Sequence, residues 1–148
     1  MLPANLKLKD KYQLFIDGKW CDASDGATLK SYCPATGEYL SSFADATVSD
    51  VDKAVKAARR AFASWSKTTV KERANILNKI ADIIDEHKEE LALIETVDNG
   101  KPLRETMAID IPMSAAHFRY FAGVILAEEG SASVLDEAFL SIILREPI

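Results

Sequence analysis

The hydrophobic pattern of this chain changes its period once, near residue 49, and that change limits the possible fold more than any other feature. Before it, short aromatic and β-branched runs flank turn residues, which is typical of β-hairpins. After it, apolar residues recur at steps of three and four, which is typical of helices packed on one face. We therefore predict an α+β fold in one segment: N-terminal β-hairpins over residues 12–45, about three to four packed helices over residues 49–130, and a terminal strand within residues 131–148.

Two hairpins are expected in the N-terminal region. Asp17-Gly18 separates two apolar runs, and this dipeptide accepts the positive φ angles of a two-residue turn. Residues 29–33 and 39–44 form a weaker strand pair around a loop that contains Pro34 and Gly37. Residues 1–11 are expected to be a leader.

Three features mark the ends of the first helices. Ser49 is expected to cap the first helix, because its hydroxyl can accept a hydrogen bond from an unpaired amide of the first turn. Thr69 and Glu72 have the spacing of a capping box for the second helix. The charged residues 87–90 interrupt the apolar period, so two helices are expected there instead of one.

The remaining helical region and the final strand are predicted from similar signals. Gly100 is expected to take the left-handed conformation after a helix end. A third helical region then begins at Leu103, and Asp110 is expected to cap a kink or restart at Pro112. Residues 139–145 are almost entirely apolar, which predicts a strand buried on both faces. Since such a strand needs further elements to cover it, the chain is expected to be part of a larger fold.

Charge and composition argue against several functional classes. The formal net charge is −5, from 18 basic and 23 acidic residues, so no positive field attracts nucleic acid or an anionic membrane. The start of the chain lacks a signal peptide, and no stretch is long enough to span a bilayer. We expect a cytoplasmic protein that binds neither nucleic acid nor membrane.

Side chains that could carry chemistry are sparse. Cys21 and Cys33 lack an adjacent base, so free and chemically inert thiols are expected. His87 and His117 have no further ligand at the spacing of a transition-metal site. The six glycines are scattered, so no phosphate-binding loop is present. Residues 98–102 form an unusually specific polar cluster, although from the residues alone a well-formed helix C-terminus is the favoured explanation.

Five blocks follow one another in the order and spacing of a known family. They are residues 15–20, 34–38, 50–55, 98–102 and 118–123. On these residues the sequence resembles the aldehyde dehydrogenase superfamily from about Tyr12 to its end. Three further blocks, at 104–106, 110–112 and 117–122, resemble the bacterial branch that oxidises acetaldehyde and similar short aliphatic aldehydes.

The resemblance implies an NAD(P)-dependent enzyme that oxidises an aldehyde, either acetaldehyde or another short aliphatic one, to the carboxylic acid. It also implies a homodimer or homotetramer. In that family a cysteine thiolate attacks the aldehyde and a glutamate activates water, and these residues lie outside this chain, as does the NAD or NADP site. The chain would then be an incomplete part of the α/β aldehyde dehydrogenase fold that leads to Rossmann-type and catalytic domains, inactive and without a cofactor on its own.

Two pairs of residues carry over from the family. A structural monovalent cation would use Tyr32, through its backbone oxygen, and Asp98, while Cys33 stands where the family usually has asparagine. Ile109 and Met113 would line a wall of the aldehyde tunnel, with ordinary core packing as an equal alternative. The hairpin strands resemble those that join subunits. A different class of function also stays open: a standalone, non-catalytic interaction or regulatory module with the same helical scaffold.

Overall fold

The computed structural model describes residues 6–146, so the first five residues of the expected leader and Pro147-Ile148 lie outside the described residues. Strands and helices follow the predicted α+β order. The elements are β1 (Lys11–Tyr12), β2 (Leu14–Ile16), β3 (Lys19–Cys21), β4 (Thr28–Tyr32), β5 (Tyr39–Ala44), α1 (Val48–Trp65), α2 (Val70–Glu86), α3 (Lys88–Asn99), α4 (Leu103–Glu105), a π-helical segment (Thr106–Asp110), α5 (Ile111–Ala127), β6 (Ser131–Asp136) and β7 (Phe139–Ile143).

Both predicted hairpins are confirmed. β2 pairs antiparallel with β3, and the turn residues Asp17 and Gly18 have φ angles of 54° and 75°. β4 pairs antiparallel with β5. An additional strand, β1, begins within the expected leader and pairs in parallel with β5, where Lys11 lies opposite Ser42. The partner of β1 is distant in sequence, so local pattern gives no sign of this pairing.

The helix caps follow the predictions in one case and depart from them in another. Thr69 and Glu72 form the expected capping box of α2. The assignment of Ser49 as the cap of α1 is wrong, because Thr47 is the N-cap and Asp50 completes its capping box. Thr47 and Asp50 stand three residues apart and can satisfy each other's backbone amides, whereas Ser49 lies inside the first turn.

The predicted break between two helices is confirmed at His87, which separates α2 from α3. Gly100 takes the left-handed conformation with a φ of 83°, also as predicted. The prediction that Asp110 caps a restart is wrong. Asp110 has helical backbone angles, and its side chain makes no capping hydrogen bond. The π-helical segment continues directly into α5, and the Asp110 carboxylate instead accepts a hydrogen bond from Lys101.

The prediction of a terminal strand buried on both faces is also wrong. β7 pairs antiparallel with β6, and these two strands form a sheet of their own. Their bulky apolar side chains are exposed: Phe139 at 64%, Leu140 at 63% and Ile142 at 59%. The apolar run indicated the strand itself but not its exposure within residues 6–146.

The main helix contact joins α2 to α5. Both helices bury alanines there, Ala74 and Ala81 on α2 and Ala115 and Ala122 on α5, and small side chains allow two helix axes to approach closely. Arg119 of α5 strengthens the contact by bonding two carboxylates of α2. Within residues 6–146, no helix has both the length and the apolar character to cross a membrane.

Candidate functional site

Asp98 occupies the last turn of α3 and faces the end of β4. The hydroxyl of Ser31 donates a hydrogen bond to Asp98 Oδ1 at 2.8 Å. Ser31 directly precedes Tyr32, so the structure brings the two predicted cation ligands into one neighbourhood although they are far apart in sequence. The Asp98 side chain is exposed.

A close backbone contact fixes this neighbourhood. A Cβ atom on Gly100 would lie 2.9 Å from Cγ of Pro34 and 3.7 Å from the backbone nitrogen of Ala35. The loop after β4 is itself closed by hydrogen bonds, because the Cys33 carbonyl accepts from the amide of Gly37 at 2.7 Å. The turn at Gly100 therefore packs against Pro34 and Ala35 too closely to leave room for a side chain at residue 100.

Cys33 lies at the centre of that loop and is buried, with 4% of its surface exposed. A hydrogen bond from the Thr36 side chain, helped by the amides of Ala35 and Thr36, lowers the pKa of the Cys33 thiol against the opposing effect of burial. Both Cys33 and Cys21 are free, as predicted. Burial keeps the Cys33 thiol away from reagents, so it has a packing role here.

The residues around Asp98 fit part of a cation site. In the described part of the chain, no three His, Cys, Asp or Glu side chains cluster as a metal site would require. Asp98 contributes one carboxylate here, and its Oδ1 atom already accepts a hydrogen bond from Ser31. Oxygen donors suit a hard cation, which takes about six of them. Tyr32 and Asp98 can supply only a fraction of that number, so their role as cation ligands stays a prediction.

A cavity of about 250 Å³ adjoins Asp98, between α3 and the three-stranded sheet. Its lining is mainly apolar and includes Leu8, Tyr12, Leu40, Phe43, Ile94 and Val97, with Ser31, Ser41 and Asp98 as polar neighbours. Pockets that enclose a drug-sized ligand start at about 300 Å³. The cavity is somewhat smaller than that.

The two predicted tunnel residues lie on the last helical region. Ile109 belongs to the π-helical segment and Met113 stands one turn later in α5. Their side chains are 50% and 52% exposed, so neither is packed in the core of the described chain. The Nδ1 atom of His117, one further turn along, lies 2.8 Å from the carbonyl oxygen of Met113. Ile109 and Met113 together form a half-exposed apolar face. The role of this face as a wall of the substrate tunnel stays a prediction.

The segment that carries Ile109 is held by contacts that no sequence pattern indicated. The amide of Ile111 donates to the carbonyl of Thr106, five residues earlier, which defines the π geometry. Lys101 Nζ bonds Asp110 Oδ2 at 2.9 Å. A Thr inside a helix and a Lys–Asp pair nine residues apart are too common to indicate such an arrangement.

Comparison with known proteins decides the family. The model of the "Aldehyde dehydrogenase family" matches residues 20–148, which is most of the chain. The chain belongs to the aldehyde dehydrogenase family. This confirms the resemblance drawn from the five sequence blocks.

Relatives within the aldehyde dehydrogenase family agree with the assignment. A fluoroacetaldehyde dehydrogenase from Streptantibioticus cattleyicolor is 43% identical over 143 residues, which is 97% of this chain and 28% of the relative. This aldehyde dehydrogenase chain thus spans less than a third of the length of the curated relative. Such coverage agrees with an incomplete part of the fold.

Solved structures of the family share the fold described above. A putative aldehyde dehydrogenase from Burkholderia cenocepacia superposes with a TM-score of 0.84 at 43% identity, over 88% of this chain and 27% of that one. An NAD⁺ complex of aldehyde dehydrogenase from Bacillus cereus gives a TM-score of 0.85 at 37% identity, over 93% and 30%. The helices and hairpins are therefore those of an aldehyde dehydrogenase.

Proposed function

We propose that the whole protein, of which this chain is the N-terminal part, is an NAD(P)-dependent aldehyde dehydrogenase that oxidises an aldehyde to the carboxylic acid. The family match over residues 20–148 carries this proposal. The NAD⁺ complex of the Bacillus cereus enzyme supports a nicotinamide cofactor, which accepts the hydride when bound. The catalytic cysteine, the general-base glutamate and the cofactor site belong to the Rossmann-type and catalytic domains outside this chain.

The proposed substrate is acetaldehyde or another short aliphatic aldehyde. The name of the Streptantibioticus cattleyicolor relative, which acts on a two-carbon aldehyde, supports this choice. Ile109 and Met113 present adjacent apolar side chains that would contact an alkyl group. An apolar wall binds a short carbon chain by excluding water and leaves the reacting carbonyl to groups outside this chain.

This segment is proposed to have two structural roles in the enzyme, in cation binding and in subunit contacts. Asp98 and the backbone oxygen of Tyr32 are proposed to hold part of a structural monovalent cation site. The exposed strands of the hairpins are proposed to join subunits into a homodimer or homotetramer. The whole enzyme is proposed to work in the cytoplasm.

A substrate series tests the proposed activity. Whole protein is mixed with NAD, and in parallel with NADP, and nicotinamide reduction is followed with acetaldehyde, fluoroacetaldehyde and hexanal. We expect reduced cofactor in proportion to carboxylic acid formed, with kcat/KM falling as the alkyl chain lengthens. Absence of nicotinamide reduction with every aldehyde would contradict the proposal and favour a non-catalytic interaction module.

A further inference from the structure

The π-helical segment Thr106–Asp110 is the irregular feature of an otherwise regular helical region. Its backbone uses a bond from residue 111 to residue 106, and so holds one residue more per turn than an α-helix. This geometry is rare because its hydrogen bonds and packing are poorer, and single π turns often occur at functional sites. Side-chain contacts must therefore favour it here.

The first contact is a buried hydroxyl. Thr106 is fully buried, and its Oγ1 lies 3.0 Å from the carbonyl oxygen of Ala92 and 3.1 Å from that of Leu103. The hydroxyl of Thr96 is 2.9 Å away. Since a hydroxyl has one proton and two lone pairs, Thr106 donates to a carbonyl and accepts from Thr96. These bonds fix the start of the segment against α3.

The second contact is an ion pair at the other end. Lys101 Nζ bonds Asp110 Oδ2 at 2.9 Å, and the two side chains are 39% and 28% exposed. The hydrogen bond to Asp110 raises the pKa of Lys101, so Lys101 is charged at neutral pH. Lys101 directly follows Gly100, the left-handed residue that ends α3. The pair therefore ties the last residue of the segment to the turn after α3.

The π turn determines the direction in which the Ile109 side chain leaves the helix. In an α-helix each residue advances about 100°, so three residues would bring Ile109 to within about 60° of the buried Thr106. A π turn advances less per residue, which leaves Ile109 farther from the direction of Thr106. The observed exposures agree with this geometry, because Thr106 is 0% exposed and Ile109 is 50% exposed.

We propose that Lys101 and Asp110, together with Thr106, are positioning residues that hold the π turn and thereby aim Ile109 at the alkyl group of the aldehyde. This inference rests on the proposed function and deepens it, because it assigns chain-length preference to an ion pair that does not itself contact substrate. Loss of the pair lets the segment relax and moves Ile109 away from its position.

Steady-state kinetics of the whole enzyme with acetaldehyde and hexanal test the proposal. In Lys101→Met and in Asp110→Asn we expect KM for acetaldehyde to rise about fivefold with little change in kcat, so that the preference for acetaldehyde over hexanal falls by a similar factor. The double exchange Lys101→Asp with Asp110→Lys is expected to restore part of the preference. Arg60→Met is the matched control, because it removes the exposed Arg60–Asp17 pair and is expected to leave both ratios unchanged.

Combining Lys101→Met with Ile109→Ala tests whether Lys101 acts by positioning Ile109 or by stabilising the fold in general. If Lys101 acts through Ile109, Lys101→Met has no further effect on the substrate preference of Ile109→Ala. Additive effects of the two substitutions, unchanged ratios in Lys101→Met, or an equal shift in Arg60→Met would each overturn the inference. If Lys101→Met fails to fold, the same comparison is made with Thr106→Val against Thr106→Ser, which keeps the hydroxyl. Wild-type enzyme that oxidises no aldehyde would instead overturn the proposed function.

Discussion

At the scale of single residues, Asp50 shows how one buried carboxylate joins two parts of the chain. Only 2% of Asp50 is exposed. Its carboxylate accepts from the amide of Ser24 at 2.9 Å, from the hydroxyl of the same residue, and from the hydroxyl of Thr47 at 2.8 Å. Lys53 adds an ion pair at 3.1 Å. Asp50 therefore holds the start of α1 to the loop that follows β3.

The bonds to Asp50 predict how stability depends on pH. Hydrogen bonds from Ser24 lower the pKa of Asp50 far below its ordinary value of 3.8. A carboxylate with a depressed folded pKa contributes stability that is present above its unfolded pKa and is lost as pH falls below it. We expect the difference in free energy of unfolding between wild type and Asp50→Asn to shrink as pH drops below about 4. Urea unfolding at a series of pH values measures this difference.

Asp52 provides the matched control on the same helix, because its side chain is exposed. Asp52→Asn should change stability little at any pH. A constant difference between wild type and Asp50→Asn down to low pH would contradict the role given to Asp50.

Two glycines are expected to respond in opposite ways to the same substitution. Gly100→Ala must place a Cβ at a φ of 83° and 2.9 Å from Pro34, which should lower the free energy of unfolding by about 1–2 kcal/mol. Gly123 lies within α5 and has open space around its Cα, so Gly123→Ala should raise stability by about 0.5–1 kcal/mol. Thermal unfolding of both variants measures the two effects. Equal destabilisation would argue against the packing described for Gly100.

At the scale of elements, the start of α2 depends on one side chain. The hydroxyl of Thr69 accepts from the amide of Glu72, and Glu72 bonds back to the amide of Thr69 at 2.7 Å. Thr69→Ala should therefore lower the free energy of unfolding by about 1 kcal/mol. Ser64→Ala is the control, because it removes a hydroxyl that donates to a helix carbonyl and so leaves no amide unpaired. Denaturant titration that shows no difference between the two variants would refute the capping role.

Elements with local causes could be predicted from the sequence, and those with distant causes could not. The turn at Asp17-Gly18, the cap at Thr69 and the helix end at Gly100 each depend on residues within one turn of chain. The parallel pairing of β1 with β5 depends on a strand far along the sequence. The exposure of residues 139–145 depends on which elements pack against the strand, so the apolar pattern indicated the strand and not its surroundings.

The candidate site shows the same division. The family resemblance selected Tyr32 and Asp98, and the structure adds the Ser31 bond that brings them together. It also selected Ile109 and Met113 but gave no sign of the π turn that carries Ile109. That turn follows from bonds that Thr106 and Lys101 make across the fold, and no local pattern encodes them.

At the scale of the whole molecule, the chain exposes more surface than a compact protein of its size. Its accessible surface is 11081 Å², whereas a folded monomer of 16.3 kDa exposes about 7,500 Å². The excess includes apolar side chains on α1, α5, β6 and β7, among them Val48, Val134, Leu135 and Tyr120. Large exposed apolar areas are typical of surfaces that other parts of a protein or other subunits cover.

This surface predicts different behaviour for the segment and for the whole protein. Residues 1–148 expressed alone should bind a hydrophobic dye strongly and associate as concentration rises, because their apolar faces lack cover. The whole protein at the same molar concentration should bind little dye and keep a fixed size. Dye fluorescence and light scattering measure both properties. A segment that stays monomeric and binds no dye would contradict this prediction, because its apolar faces would then not be accessible in solution.

The most direct test of the central claim is the intact mass of the protein purified from its natural source, followed by NADH formation with acetaldehyde in the same sample. The chain covers 28% of a 43% identical relative, so the account predicts a mass several times 16.3 kDa together with NADH production. A mass equal to that of 148 residues, with no NADH formed, would contradict the claim that this chain is the N-terminal part of a working aldehyde dehydrogenase.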